Sequence, residues 1–83
     1  MNIKLKLFAA LGDYLPPNAH ENEVDVEVPE GATIGDVLNS HQVPFESCHL
    51  ILINGYYHHR DIAGSTKLNN GDTLAVWPPI AGG

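Results

Sequence analysis

The sequence predicts an α+β domain in which a mixed sheet of about four to five strands packs on one main helix. Three observations predict it. Residues 2–8 and 23–28 alternate apolar and polar side chains with a period of two, as half-buried strands do. Residues 33–41 carry apolar side chains at helical spacing behind a capping signal. The runs "LILI" and "TLAVW" are short, rich in strand-forming residues and bounded by turn signals.

Ile3, Leu5 and Leu7 fall on one face of the first strand, with Lys4 and Lys6 on the other. Val24, Val26 and Val28 do the same in the second, opposite Glu23, Asp25 and Glu27. Pairing the two as a hairpin sets a basic outer face beside an acidic one. Between them, Leu11 and Leu15 support one helical turn, which Pro16-Pro17 keeps short. Thr33 is the expected N-cap of the main helix, and Asp36 completes a capping box. Ile34, Val37, Leu38 and His41 share its inner side, and Pro44 marks its stop. Leu50–Ile53 reads as a buried strand running into an Asn54-Gly55 tight turn and Tyr56-Tyr57. The last strand follows "NNGD" and is expected beside the first, because the helical connection permits a parallel pair. This is a β-grasp layout.

At 83 residues the chain makes one domain. With 43% hydrophobic and 17% charged residues it reads as a folded globule. The single cysteine, Cys48, cannot form an internal bridge, no apolar stretch reaches membrane-spanning length, and "MNIKLKLF" continues as a strand; the expected location is cytoplasmic. A net charge of −6, with only Lys4, Lys6, Arg60 and Lys67 as cations, excludes a phosphate-tracking surface, so no nucleic acid and no membrane are expected as partners. The same charge suits both solubility and encounter with a basic protein surface.

Several residues invite chemistry. Cys48 reads as a small buried hydrophobe rather than a nucleophile, having no acid–base partner nearby in the sequence. Cys48, His49, His58 and His59 match no familiar zinc spacing, so no metal site is expected. "GSTK" at 64–67 has phosphate-loop residue types without the required order. Glu30, Asp36 and Asp61 read as solvated acids. His41 is placed to meet either the carbonyls at the helix end or solvent. Tyr56, Tyr57 and Trp77 either form a docking surface or close the edge of the core.

The chain closes on "WPPIAGG". Two terminal glycines alone arise by chance in about one chain in two hundred, so what precedes them decides their meaning. "IKLKLFAALGDYL", "VEVPEGATIGDVL", "ILINGYY" and above all "LNNGDTLAVWPPIAGG" resemble the MoaD/ThiS family of ubiquitin-like sulfur carriers over nearly the whole length. The resemblance implies a ubiquitin-like β-grasp domain over residues 1–77 with a flexible Gly-Gly tail over 78–83. It further implies that the α-carboxylate of Gly83 is adenylated and converted to a thiocarboxylate.

The carrier would be a protein cosubstrate rather than an enzyme. It would bind no cofactor and rely on an E1-like adenylating enzyme that uses ATP. The first reading is the non-catalytic small subunit of molybdopterin synthase, partnered by the large subunit, because that subunit ends in an aromatic residue, two prolines and Gly-Gly. The alternatives are a ubiquitin-like modifier conjugated through Gly83, or a carrier for thiamin or another sulfur metabolite.

The tail suits such a task. Pro78 fixes its own φ and holds Trp77 extended. Pro79 continues a stiff projection at about 3.1 Å per residue, so six residues reach about 20 Å. Ile80 offers an anchor, Ala81 is small, and Gly82 and Gly83 pass through a narrow channel without side chains.

Overall fold

A computed structural model describes residues 1–79. Its sheet has five strands: β1 (Asn2–Leu7), β2 (Glu23–Glu27), β3 (Leu50–Ile53), β4 (Tyr56–Tyr57) and β5 (Thr73–Trp77). Their order across the sheet is β2-β1-β5-β3-β4. The two central strands, β1 and β5, run parallel, and every other neighbouring pair is antiparallel. A parallel pair needs a crossover. Here the main helix, α1 (Ile34–Ser40), supplies it and packs Ile34, Val37 and Leu38 into the core with Leu5, Ile51 and Leu74. This is the β-grasp layout that the alternation and the capping signal predict, and the ubiquitin-like fold that the resemblance implies.

The charge pattern of the first hairpin is realised. Lys4 lies opposite Asp25 and Lys6 opposite Glu23. The ion pair itself runs on the diagonal, from Lys4 Nζ to Glu23 Oε2 at 3.5 Å, between half-exposed groups. Such pairs contribute little to stability but oppose a one-residue slip, which would turn every valine outward. The connection to β2 contains a 3-10 helix (Ala9–Tyr14) that buries Leu11, with Leu15 half-buried against the core.

Thr33 and Asp36 form the reciprocal capping box: Asp36 N–H donates to Thr33 Oγ1 and Thr33 N–H to Asp36 Oδ2, each at 3.0 Å. The helix stops differently from the expectation at Pro44. Val43 N–H donates to Leu38 O and Gln42 N–H to Asn39 O, both at 2.9 Å, with Gln42 left-handed at φ 62°. That is a Schellman ending, complete before the proline is reached. His41 Nδ1 lies 3.1 Å from Val37 O, in the place foreseen for it. Asn54 and Gly55 have φ 52° and 85°, the two positive values a tight hairpin requires.

Two short elements have no counterpart in the sequence reading: a 3-10 turn (Phe45–Ser47) and a one-turn helix, α2 (Arg60–Ala63). His59 caps α2, its Nδ1 accepting from Asp61 N–H at 3.2 Å. His58 and His59 therefore follow β4, with His59 at the start of α2. Gly64, just beyond α2, meets the first turn of α1, where Gly35 N–H donates to Gly64 O at 3.1 Å.

Candidate functional site

β5 carries the chain to the site, and both its ends are fastened. At its start, Asn54 Oδ1 accepts from Thr73 N–H and Asn54 Nδ2 donates to Asp72 Oδ1, both at 2.9 Å. Asp72 Oδ2 also accepts from Asn69 N–H at 2.8 Å, so this carboxylate, buried to 8% exposure, has partners on both oxygens. The turn residue Asn54 thus clamps the entry to the central strand.

At its end, Val76 O accepts from Phe8 N–H at 3.1 Å and Trp77 O accepts from His49 N–H at 2.8 Å. The Phe8 and Trp77 rings stack, with centroids 4.3 Å apart and planes 7° from parallel. Pro78 follows half-buried and Pro79 exposed. Proline has no N–H to offer either neighbouring strand, so the ladder ends here. Of the residues named for the tail, Trp77, Pro78 and Pro79 are therefore placed at the end of the central strand. Ile80, Ala81, Gly82 and Gly83 lie outside the described residues.

The register also fixes what surrounds this exit. Leu7, Val76 and Ile51 share the helix side; one residue on, Phe8, Trp77 and Leu50 share the other. Leu52, Ala75 and Tyr57 continue that helix-free side away from the exit, and Glu23, Asp25 and Glu27 border it on β2. The choice left open for the aromatics is thereby divided. Trp77 is half-buried against Phe8, whereas Tyr56 and Tyr57 are 75% and 58% exposed on an edge strand and close no core.

The other tempting groups are occupied structurally. Cys48 is fully buried, its Sγ–H donating to Pro44 O at 3.6 Å. Burial pushes its thiol pKa up, with Arg60 opposing and Glu46 adding to the rise, so the reactive thiolate is disfavoured. In "GSTK", Ser65 and Thr66 spend their hydroxyls on Ile62 O at 3.1 and 3.0 Å. Among the described residues, no three His, Cys, Asp or Glu side chains are grouped so as to hold a metal ion, and no helix is long and apolar enough to cross a membrane.

A profile of the Mut7-C ubiquitin family matches residues 1–81. The chain belongs to the Mut7-C ubiquitin family. No curated protein matches its sequence. Among solved structures, SAMP1 from Haloferax volcanii is similar at 28% identity over the whole of both chains, with a TM-score of 0.66. The H. volcanii HVO 2177 protein matches at 25% identity over all of this chain and 87% of its own, with a TM-score of 0.74. A Pyrococcus furiosus protein described as a molybdopterin converting factor, subunit 1, has 24% identity over 95% of this chain and 98% of its own, and a TM-score of 0.68; it attests the fold alone. This Mut7-C ubiquitin domain is thus similar in sequence and fold to an archaeal small modifier protein, a coarser statement than the MoaD/ThiS resemblance.

Proposed function

We propose that this chain is a ubiquitin-like modifier that acts through the carboxylate of Gly83. The carboxylate attacks the α-phosphate of ATP on a separate adenylating enzyme; pyrophosphate leaves and an acyl-adenylate forms. A lysine amine of a target protein then takes the acyl group, directly or through an enzyme thioester, and the AMP is released along the way. The observation that carries this reading is the similarity, over the full length of both chains, to the H. volcanii modifier structure. A second crystal structure of H. volcanii small archaeal modifier protein 1, 26% identical over 95% of this chain and 98% of its own with a TM-score of 0.65, supports it.

Sulfur carriage is the second reading, favoured by the "WPPIAGG" ending. The acyl-adenylate is the same. The terminal sulfur of a persulfide attacks the acyl carbon and AMP leaves. A second thiol then cleaves the S–S bond, giving a thiocarboxylate and a disulfide. Molybdopterin synthesis, the first reading of the ending, has weaker support than the modifier reading, because the converting-factor similarity falls to 24%.

Mass spectrometry of the protein from its source cells tests both. Trypsin cuts after Lys67, so conjugates appear as lysines branched with residues 68–83. A carrier appears as an intact chain with one oxygen exchanged for sulfur. Deleting Gly83 is expected to remove both products while leaving thermal unfolding unchanged. Product formation by the truncated chain would refute the assignment of Gly83.

A further inference from the structure

We propose that Phe8 is a positioning residue for the tail: stacked on Trp77, its ring fixes the direction in which the chain leaves the sheet at Pro78. The proposal rests on the activation of Gly83 set out above, and names a residue outside the tail that serves it.

Phe8 is held as a platform. Its backbone is extended, with φ −107° and ψ 161°. Its N–H is bound to Val76 O, and its carbonyl accepts from Leu11 N–H at 3.1 Å. Leu11 is buried, so the 3-10 helix after Phe8 is tied to the core. Ala9 connects the two with a left-handed φ of 52°, a conformation that non-glycine residues avoid. This turn ends the β1 direction at Phe8 and leaves its ring beside the last residue of β5.

Trp77 is held on two sides. His49 N–H fixes the carbonyl of the Trp77–Pro78 peptide on the β3 side, and the Phe8 ring fixes the indole on the β1 side. A peptide bond is planar, so orienting that carbonyl orients the Pro78 nitrogen as well. The proline ring fixes the next φ. Pro79 in turn confines ψ of Pro78 to extended values, so the direction set at Trp77 carries across both prolines. Removing the stack frees the indole and leaves the end of β5 held by its backbone hydrogen bonds without the side-chain contact. A tail aimed beforehand loses less freedom on entering an enzyme channel than one that must be captured from many directions.

Stacked aromatic pairs shift equilibria by about 2- to 10-fold. The test is ATP–pyrophosphate exchange by the purified adenylating enzyme of the source organism, with the chain as varied substrate. Phe8→Leu, which keeps apolar bulk without a flat ring, is expected to raise KM about 2- to 10-fold at unchanged kcat. Phe8→Tyr is expected to restore the original value. Trp77→Leu should raise KM similarly, and the double variant should add little, because one contact is being removed twice.

Trp77 is the sole tryptophan, so acrylamide quenching in the free protein reads the stack directly. Quenching should rise in Phe8→Leu and return in Phe8→Tyr. Should Phe8→Leu fail to fold, Trp77→Leu and Phe8→Tyr carry the KM comparison. A KM unchanged by loss of either ring, additive effects in the double variant, or unchanged quenching would overturn the positioning role while leaving Gly83 activation standing. Absence of exchange with the unaltered chain would overturn both.

Discussion

Gln42 adopts a left-handed backbone where α1 ends, and its side chain is exposed. An ordinary residue in that region costs about 1–2 kcal/mol, whereas glycine pays only about 0.5–1 kcal/mol in added chain freedom when unfolded. Gln42→Gly is therefore expected to stabilise the domain by about 0.5–1 kcal/mol, read from the midpoint of urea unfolding; a loss of stability would show that the Schellman ending is absent in solution. Asn54-Gly55 announces its turn because asparagine and glycine are the residues that tolerate positive φ. Gln42 and Ala9 announce nothing, since neither type prefers the conformation its neighbours impose.

Among the elements, those with a full period are the ones legible in the chain. β1 shows three alternating apolar positions, β2 shows two with Val28 continuing the period just beyond it, and α1 has both a spacing and a capping box. The Phe45–Ser47 turn, α2 and β4 span too few residues to show any period, and α2 is set by tertiary contact. That contact is close at the Gly35–Gly64 crossing. A Cβ built on Gly35 would stand 2.6 Å from Gly64 O, the oxygen that accepts the Gly35 N–H. Alanine gains about 1 kcal/mol over glycine within a helix, against about 1–3 kcal/mol for overpacking and about 0.5–1.5 kcal/mol for a lost hydrogen bond. Gly35→Ala should thus destabilise by about 1–2 kcal/mol in urea unfolding, and a gain would show that the two backbones separate in solution. The exit site was half legible: "WPP" marks where the ladder must stop, but a stack between residues from opposite ends of the chain leaves no local trace.

For the whole molecule, Cys48 reports on global opening. It is fully buried, so labelling by a thiol reagent should proceed at the rate of unfolding and accelerate as urea is added; immediate labelling in the native protein would contradict its burial. Its pKa, raised from 9.0, also sets a sign. Below about pH 9 both states keep the proton. As pH rises past that value the unfolded chain loses its proton first, so the native state binds more protons and stability falls with further increase in pH. Cys48→Ala should flatten this decline above about pH 9, measured as the difference from the unaltered chain. An equal decline in both proteins would assign the slope to other groups.

The position of β5 between β1 and β3 has a kinetic consequence. Protein synthesis delivers the amino end first, yet the strand that joins the two halves of the sheet is the last one made. Until Thr73–Trp77 emerges, β1–β2 and β3–β4 are separate ribbons, neither stable alone. Nucleation must wait for a contact between distant parts of the chain, which slows it. On the proposed function, maturation and presentation are thereby linked: a nascent or damaged polypeptide lacking its central strand also lacks the mount for the segment proposed to act on another protein.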